Sequence, residues 1–176
     1  MLVDPWPPSL RRAVEKDFVQ AVSVAKLRGS SCPIPSGTTN QSVGNKVEEF
    51  TVAKLSRYLS VFRLQACRGA GYPDKMLVRK STSLAIPLEF KVTGNWNSND
   101  SNRRVLTSSS SKLRNKFKTP IHHLLATVVY TKRSTGVRID RLRLDFLEPS
   151  TTVNVRLEAS VSHRLLASGG HRIKII

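Results

Sequence analysis

Three charged side chains, at positions 74, 89 and 91, have the types and the spacing that metal-dependent hydrolysis needs. Asp74 follows a proline at the start of one apolar run, and Glu89 and Lys91 lie inside the next, in the segment LEFKV. Side chains alternate sides along a β-strand, so Glu89 and Lys91 share one face while Phe90 points to the other. A hairpin of the two runs would bring Asp74 to the same place. Two carboxylates that converge from neighbouring strands form a site for a hard cation.

The chemistry that such a set supports is phosphodiester hydrolysis. Mg²⁺ is commonly held by one or two protein carboxylates and keeps positions for water and a phosphate oxygen. A neighbouring lysine can orient the attacking water, help to deprotonate it or stabilise charge in the transition state. The alternative is an ordinary ion pair between Glu89 and Lys91 on a solvated strand face, with no part in catalysis.

The chain as a whole is strongly basic. Its 176 residues include 29 Lys and Arg against 12 Asp and Glu, which gives a formal net charge of +17. Hydrophobic residues make up 39 % of the chain, so the charge belongs to the surface of a folded domain rather than to a disordered tail. This excess predicts a polyanionic partner. Nucleic acid is favoured, while an acidic protein or membrane surface stays an alternative.

Hydropathy indicates a protein that does not cross a membrane. The apolar runs, such as residues 124–130, are much shorter than the ~20 residues of a spanning helix. The first residues have no basic region ahead of an apolar segment, which excludes the pattern of a signal peptide. We therefore expect a cytoplasmic protein.

Other side chains that commonly bind metals have unsuitable spacing. Cys32 and Cys67 are far apart in the chain and form no zinc-binding pattern, so we expect two free thiols. His122 and His123 are adjacent, which is not the spacing of a metal site on a helix or strand. We expect them to have a structural or phosphate-facing role.

Hydrophobic periodicity predicts the elements that must position the three charged residues. Amphipathic helices are expected over residues 9–27 and 44–62, the second capped by Ser42, with a polar loop over 29–44 between them. Residues 75–79 and 84–92 then have the pattern of two strands. The short segment KSTS between these strands favours an antiparallel hairpin.

The second half of the chain is predicted to be mostly strands. A serine-rich stretch at 105–117 has only weak helical periodicity. Residues 124–131 form a continuous apolar run, which is typical of a central strand covered on both faces. Residues 137–146 and 153–161 alternate apolar and polar side chains, so each should have one wet face. These wet faces would carry Arg138, Arg141, Arg143 and Arg156.

The residues at the centre of the chain resemble the motif of the PD-(D/E)xK phosphodiesterase superfamily, and more narrowly its type II restriction endonucleases. The segment YPD matches the first half of the motif, with Asp74 as the first metal ligand. The segment EFK matches the second half, with Glu89 as the second ligand and Lys91 as the catalytic lysine. The resemblance also implies an acid on the helix before the hairpin, for which GNKVEEF offers Glu48, with Glu49 as the competing choice.

The resemblance implies a mixed α/β fold, in which a central mixed sheet is flanked by helices in the order αβββαβ. Residues 44–130 can be aligned to this order, about half of the chain, with one short strand hard to place. We expect a single domain over residues 1–176 with its core at about 44–131, preceded by a helix and loop over 1–43 and followed by strands over 132–176. The serine-rich stretch departs from the pattern at the second helix.

The function implied by the resemblance is Mg²⁺-dependent cleavage of double-stranded DNA that leaves a 5′-phosphate, often by a homodimer with one site for each strand. A sequence-specific type II restriction endonuclease is therefore the expected function. A structure-selective repair nuclease or a Holliday-junction resolvase would use the same metal site. A non-catalytic DNA-binding protein would use the three residues only as surface charges.

The side chains expected to contact DNA lie in the polar loop after the hairpin and on a later strand. Asn and Arg can read base edges with two hydrogen bonds, and Arg can also neutralise phosphates. A solvated polar loop and an ordinary wet strand face are the alternatives. The expected contacts are Asn95, Asn97, Asn102, Arg103, Arg104, Arg141 and Arg143.

Overall fold

The computed structural model describes residues 3–67, 73–94, 115–150, 152–157, 163–168 and 172–176. Two helices and nine strands lie in these ranges. They are α1 (Pro8–Val24), β1 (Ser31–Pro33), α2 (Asn40–Tyr58), β2 (Phe62–Ala66), β3 (Lys75–Arg79), β4 (Ala85–Thr93), β5 (His123–Arg133), β6 (Gly136–Leu147), β7 (Thr152–Leu157), β8 (His163–Ser168) and β9 (Arg172–Ile175).

A mixed sheet forms the centre of the fold. Its strand order is β1-β6-β5-β4-β3-β2, and β9 also pairs with β6. Only β4 and β5 are parallel, whereas the other pairs in this sheet are antiparallel. One face packs against α1 and α2 to make the hydrophobic core, and β7 and β8 pair separately. The predicted mixed α/β class is confirmed. Within the described ranges, no helix is long and apolar enough to span a bilayer.

The hairpin and the central strand form where the sequence predicts them. The strand predicted over 75–79 is β3, and the one over 84–92 is β4, displaced by one residue. The turn between them closes with the Ser83 N–H donating to the Arg79 carbonyl at 3.0 Å, with Ser83 in the left-handed region at φ 57°. Every residue from 123 to 130 of β5 is buried, as expected of a strand covered on both faces.

The predicted bounds of α2 are wrong at both ends. The helix begins at Asn40 rather than residue 44, and its cap is Thr39 instead of the predicted Ser42. Thr39 Oγ1 accepts the Ser42 N–H at 3.3 Å, as a threonine cap does for the first turn of a helix. The predicted loop over 29–44 therefore holds the first turn of α2 as well as the short strand β1.

The early end of α2 has a cause in another helix. Asp17 in α1 is only 2 % exposed, and its carboxylate accepts the backbone N–H groups of Ser60, Val61 and Phe62 at 2.8, 3.0 and 2.9 Å. Backbone donors at such a turn need a partner once they are buried. The chain consequently leaves α2 at Tyr58 and enters β2, a strand that the periodicity does not predict.

A bulge in β6 decides which face its arginines occupy. Val129 pairs with Arg141 while Tyr130 pairs with Ile139, so Asp140 is an extra residue in β6. In a regular strand, Arg138 and Arg141 would lie on opposite faces. The bulge instead brings Arg138, Arg141 and Arg143 to the face opposite the core, which agrees with the single arginine face predicted for this strand.

The remaining sequence predictions concern elements that the structure describes only in part. The weak helix at 105–117 lies outside the described residues except for its last three positions. The last predicted strand, 153–161, corresponds to β7, with residues 158–162 outside the described ranges. The strands β8 and β9 lie in the region 132–176 that is predicted to consist of strands, but the periodicity does not predict their individual bounds.

Candidate active site

Asp74 and Glu89 lie directly opposite each other on neighbouring strands. The register pairs Lys75 with Leu88, so one residue further Asp74 faces Glu89. The Asp74 N–H donates to Glu89 Oε2 at 3.1 Å, and the Phe90 N–H donates to Asp74 Oδ2 at 3.0 Å. Each carboxylate is therefore fixed by a backbone donor of the other strand. The hairpin brings the two acids together as the sequence predicts.

Lys91 completes this group from the same face of β4. Its Nζ donates to Glu89 Oε1, while Phe90 between them is buried in the core at 2 % exposure. The period of two along the strand accounts for this arrangement. Glu89 itself is only 3 % exposed, which excludes the solvated strand face considered for this pair.

The helix α2 contributes Glu48 at the edge of the group. Glu48 Oε1 lies 3.6 Å from Lys75 Nζ, and the Asp74 carboxylate and the Lys91 ammonium are near enough to act on its ionisation. Glu49, the competing choice, is exposed to solvent. Of the two adjacent acids, Glu48 is the one that faces the strands.

Burial dominates the electrostatics of the acids. It raises the pKa of Glu89 to about 7, with the Lys91 ammonium lowering that pKa and the Asp74 carboxylate raising it. Burial also raises the pKa of Glu48, to which the Asp74 charge adds, while Lys75 opposes the rise. Carboxyl groups whose pKa values are raised by burial and that share charged neighbours are typical of functional sites.

The donor chemistry of Asp74 and Glu89 suits a hard cation such as Mg²⁺. The two carboxylates approach from adjacent strands and offer oxygen atoms only, which Mg²⁺ prefers. Among the described residues, no three His, Cys, Asp or Glu side chains group closely enough to hold a metal ion together. An ion here would therefore be bound by this pair of acids and by oxygens from water or substrate.

A second acid and base pair lies on the same face of the sheet. Arg143 on β6 donates to Asp145 Oδ1 through Nε at 2.8 Å and also through Nη2, and Asp145 is 3 % exposed. Across the sheet, Arg143 pairs with Thr127 of β5, which pairs with Lys91. Asp145 is not among the predicted site residues, although strand alternation puts it on the face of Arg143. Only the strand register shows that this pair lies level with the candidate site.

Of the residues predicted to contact DNA, Arg141 and Arg143 lie in the described part of the chain. Arg141 lies on the face of Lys91 and Arg143, next to the bulge. The loop residues Asn95, Asn97, Asn102, Arg103 and Arg104 lie outside the described residues.

The two adjacent histidines make structural contacts. His123 is 1 % exposed, with Nδ1 3.0 Å from the Pro87 carbonyl oxygen, and burial lowers its pKa to about 4. The ring of His122 lies 5.3 Å from the ring of Trp6, measured between centroids. Neither contact resembles a metal site.

No protein-family model matches the chain, and no curated protein is significantly similar to it. The site is therefore defined by its own contacts. These contacts give the buried carboxylate of Glu89 and the half-buried carboxylate of Asp74 facing each other at adjacent strands, a lysine on one of them and a third acid from a helix. Such a group can hold a cation, orient a phosphate beside it and supply an ammonium to the same phosphate.

Proposed function

We propose that the protein is a Mg²⁺-dependent endodeoxyribonuclease that hydrolyses double-stranded DNA. The observation that carries the proposal is the reciprocal contact of Asp74 and Glu89, each carboxylate bound by a backbone N–H of the opposite strand, with Lys91 on Glu89. Glu89 is buried and Asp74 is half-buried, and two such acids are costly to bring together unless they serve a cation. The net charge of +17 supports a polyanionic substrate.

Each residue has a separate role in this proposal. Asp74 and Glu89 would hold the cation, which when bound would supply Lewis acidity toward the scissile phosphate and lower the pKa of water. Lys91 places its ammonium beside the phosphate, where it offsets negative charge that develops in the transition state and orients the attacking water. Glu48 is an auxiliary acid that keeps Lys75 in place and adds negative charge toward the cation.

The arrangement of helices and strands around the site supports the same proposed function. The chain runs α2, β2, β3, β4 and then β5, and β5 lies parallel to β4. These described elements follow the order αβββαβ that the PD-(D/E)xK resemblance implies, except for its second helix, whose expected position falls mostly outside the described residues, with β2 as the short strand that is hard to place from sequence. We propose a core of the restriction-endonuclease kind on that basis.

The direct test is cleavage of plasmid DNA by purified protein with Mg²⁺ and with EDTA. Asp74→Ala and Lys91→Ala should each lower the cleavage rate by at least about 10²-fold and leave DNA binding within about twofold, since both act on the chemical step. Cleavage at the wild-type rate by both variants would remove the assignment.

Matched variants separate the site from general loss of charge. Lys16 is an exposed lysine on α1, so Lys16→Ala removes the same charge as Lys91→Ala and should cut normally. Glu48→Ala should slow cleavage, whereas Glu49→Ala, at the exposed neighbour, should not. Equal effects of the last two substitutions would exclude Glu48 from the site.

The substrate separates the classes of nuclease. Discrete plasmid fragments are the expected result for a type II restriction endonuclease, with the homodimer and 5′-phosphate ends that this class implies. Cutting confined to branched or damaged DNA would identify a structure-selective repair nuclease or junction resolvase. Salt-sensitive DNA binding with no Mg²⁺ binding by calorimetry would identify a non-catalytic DNA-binding protein.

A further inference from the structure

A groove opens at the edge of the sheet, away from the candidate active site. Along the outer side of β6, β1 and the residues before it reach Ile139, while β9 and Ile176 reach Leu142. Between these two the bulge at Asp140 leaves a gap, which α1 borders from the core side. The groove has a volume of about 1080 Å³.

The walls of this edge groove combine apolar and cationic side chains. Its apolar lining includes Val22 and Ile139, which are buried, and Val19 and Ile175, which are 38 % and 55 % exposed. Its cations are Lys26, Arg28, Arg138 and Arg141.

The carboxylate of Asp140, also in the lining, is already bound. Its Oδ1 accepts Arg138 Nε at 2.9 Å, and its Oδ2 accepts the Thr131 hydroxyl at 2.6 Å. The balance of charge in the edge groove therefore favours an anion.

Lys26 adopts a strained conformation in this wall. The Leu27 N–H donates to the Val22 carbonyl and the Lys26 N–H to the Ser23 carbonyl, both at 3.0 Å, which is the Schellman ending of a helix. Lys26 occupies the left-handed position of that motif, at φ 46°, where glycine is usual because a Cβ is disfavoured. A lysine at a position that favours glycine indicates a function for its side chain.

The edge groove is continuous with the face that carries the active-site lysine. Arg141 of the groove pairs with Val129 on β5, which pairs with Thr93, two residues beyond Lys91 on β4. Strand spacing of ~4.8 Å and a rise of ~3.4 Å per residue place the Arg141 and Lys91 backbones roughly 12 Å apart. Arg143 lies between them, on the same face as Lys91. Arg141 and Arg143 therefore link the candidate site with the groove along one face of the sheet.

We propose that the edge groove binds a single strand of nucleic acid that leaves the duplex beside the cleavage site. This inference rests on the proposed nuclease function and extends its double-stranded substrate to duplex DNA that also carries an unpaired strand. A duplex presents phosphates to a surface but keeps its bases paired inside, where they do not reach the walls of a groove. A single strand can contact the cations with its phosphates and the aliphatic walls with its sugars and bases.

The test measures binding of a labelled oligothymidylate and of a duplex of equal length by fluorescence anisotropy, in EDTA so that neither is cut. Lys26→Ala combined with Arg28→Ala should weaken single-strand binding about tenfold and reduce the slope of log K against log salt by about 1.4. Duplex binding should change less than twofold. Equal losses for both ligands would overturn the proposal.

Two matched controls distinguish the groove from general charge and from folding. Arg57→Ala with Arg63→Ala removes two exposed cations near the opposite edge of the sheet and should leave single-strand binding unchanged. Lys26→Gly should raise the unfolding temperature by a few degrees, because it relieves the left-handed backbone, and still weaken single-strand binding. Single-strand binding that is unchanged in Lys26→Gly would contradict the role of this lysine.

The apolar wall has its own pair of variants. Ile175 and Val24 are both 55 % exposed, but only Ile175 lines the groove. Ile175→Ser should weaken single-strand binding, whereas Val24→Ser should not; equal effects would overturn the proposal.

Failure of this inference and failure of the nuclease assignment give different results. Mg²⁺-dependent cleavage that depends on Asp74, with no selective loss of single-strand binding in the groove variants, would overturn the groove alone. Selective loss in the groove variants, with cleavage that is indifferent to Asp74→Ala and Lys91→Ala, would support the groove and remove the catalytic assignment. A flapped duplex cut faster than a blunt one by wild type, but not by Lys26→Ala with Arg28→Ala, would support both.

Discussion

At the scale of single residues, burial gives the acid and base on β4 their significance. Glu89 and Lys91 one residue apart on an exposed strand would form a weak ion pair worth at most about 1 kcal/mol. Here Glu89 is 3 % exposed and meets a second carboxylate from Asp74. The fold therefore holds charge where it opposes stability, as catalytic and binding sites commonly do.

His123 gives a prediction for the pH dependence of stability. Burial lowers the pKa of this imidazole to about 4 in the folded protein, against about 6.5 in an unfolded chain. Above about pH 6.5 the residue is neutral in both states and its contribution is fully present. As the pH falls from about 6.5 to 4, only the unfolded chain takes up the proton, so about 3 kcal/mol of stability is lost.

The measurement is the free energy of urea unfolding of wild type and His123→Asn at several pH values in this window. Asparagine does not titrate, and its amide can still donate to the Pro87 carbonyl, the contact that His123 makes through Nδ1. The variant should lose less stability than wild type between pH 6.5 and 4. Parallel curves would show that His123 is not the group that takes up the proton.

At the scale of secondary-structure elements, the sequence predicts those features that are determined by residues close together in the chain. The bounds of β3 and the central position of β5 follow from apolar runs and from a turn segment of four residues. The end of α2 does not, because it is set by Asp17, more than 40 residues earlier in the chain. The bulge in β6 is equally invisible to periodicity, since only pairing with β5 reveals Asp140 as an extra residue.

The same distinction between local and long-range determinants applies to the candidate site. The sharing of a face by Glu89 and Lys91, and their meeting with Asp74, come from strand alternation and a short hairpin, which are local. The choice of Glu48 over Glu49 depends on the rotation of α2 against the sheet, and the edge groove depends on the gap between β1 and β9. Neither has a local signal in the sequence.

Asp17 gives the prediction that belongs to this scale. Asp17→Ala leaves three backbone N–H groups without their acceptor, and the one of Phe62 is buried. An unpaired buried donor costs about 1–3 kcal/mol, so the loss should reach at least about 1 kcal/mol. Asp17→Asn keeps one acceptor oxygen and should lose less. Urea unfolding measures both.

Glu49→Ala is the control for Asp17→Ala, because it removes the same charge from an exposed position on α2. It should change stability by less than about 0.5 kcal/mol. If Asp17→Ala is no less stable than Glu49→Ala, the carboxylate does not join α1 to the turn into β2.

At the scale of the whole molecule, the excess of positive charge lowers the stability of the folded state. A net charge of +17 on 176 residues opposes the compact state through mutual repulsion. The ion pairs on the face of the candidate site, Lys91 with Glu89 and Arg143 with Asp145, are largely buried, so salt screens them little. The part of the electrostatic energy that responds to salt is therefore the repulsion among exposed cations.

This difference predicts that salt stabilises the protein while it weakens nucleic-acid binding. Raising NaCl from about 0.02 M to 0.3 M shortens the screening length from roughly 20 Å to 6 Å, which removes most long-range repulsion. A gain of about 1 kcal/mol would raise the unfolding temperature by about 2–4 °C for a chain of this size. Thermal unfolding by circular dichroism in NaCl tests this. A fall in unfolding temperature over the same range would mean that exposed attractive pairs outweigh the repulsion, and the excess charge would then not be what limits the stability of this fold.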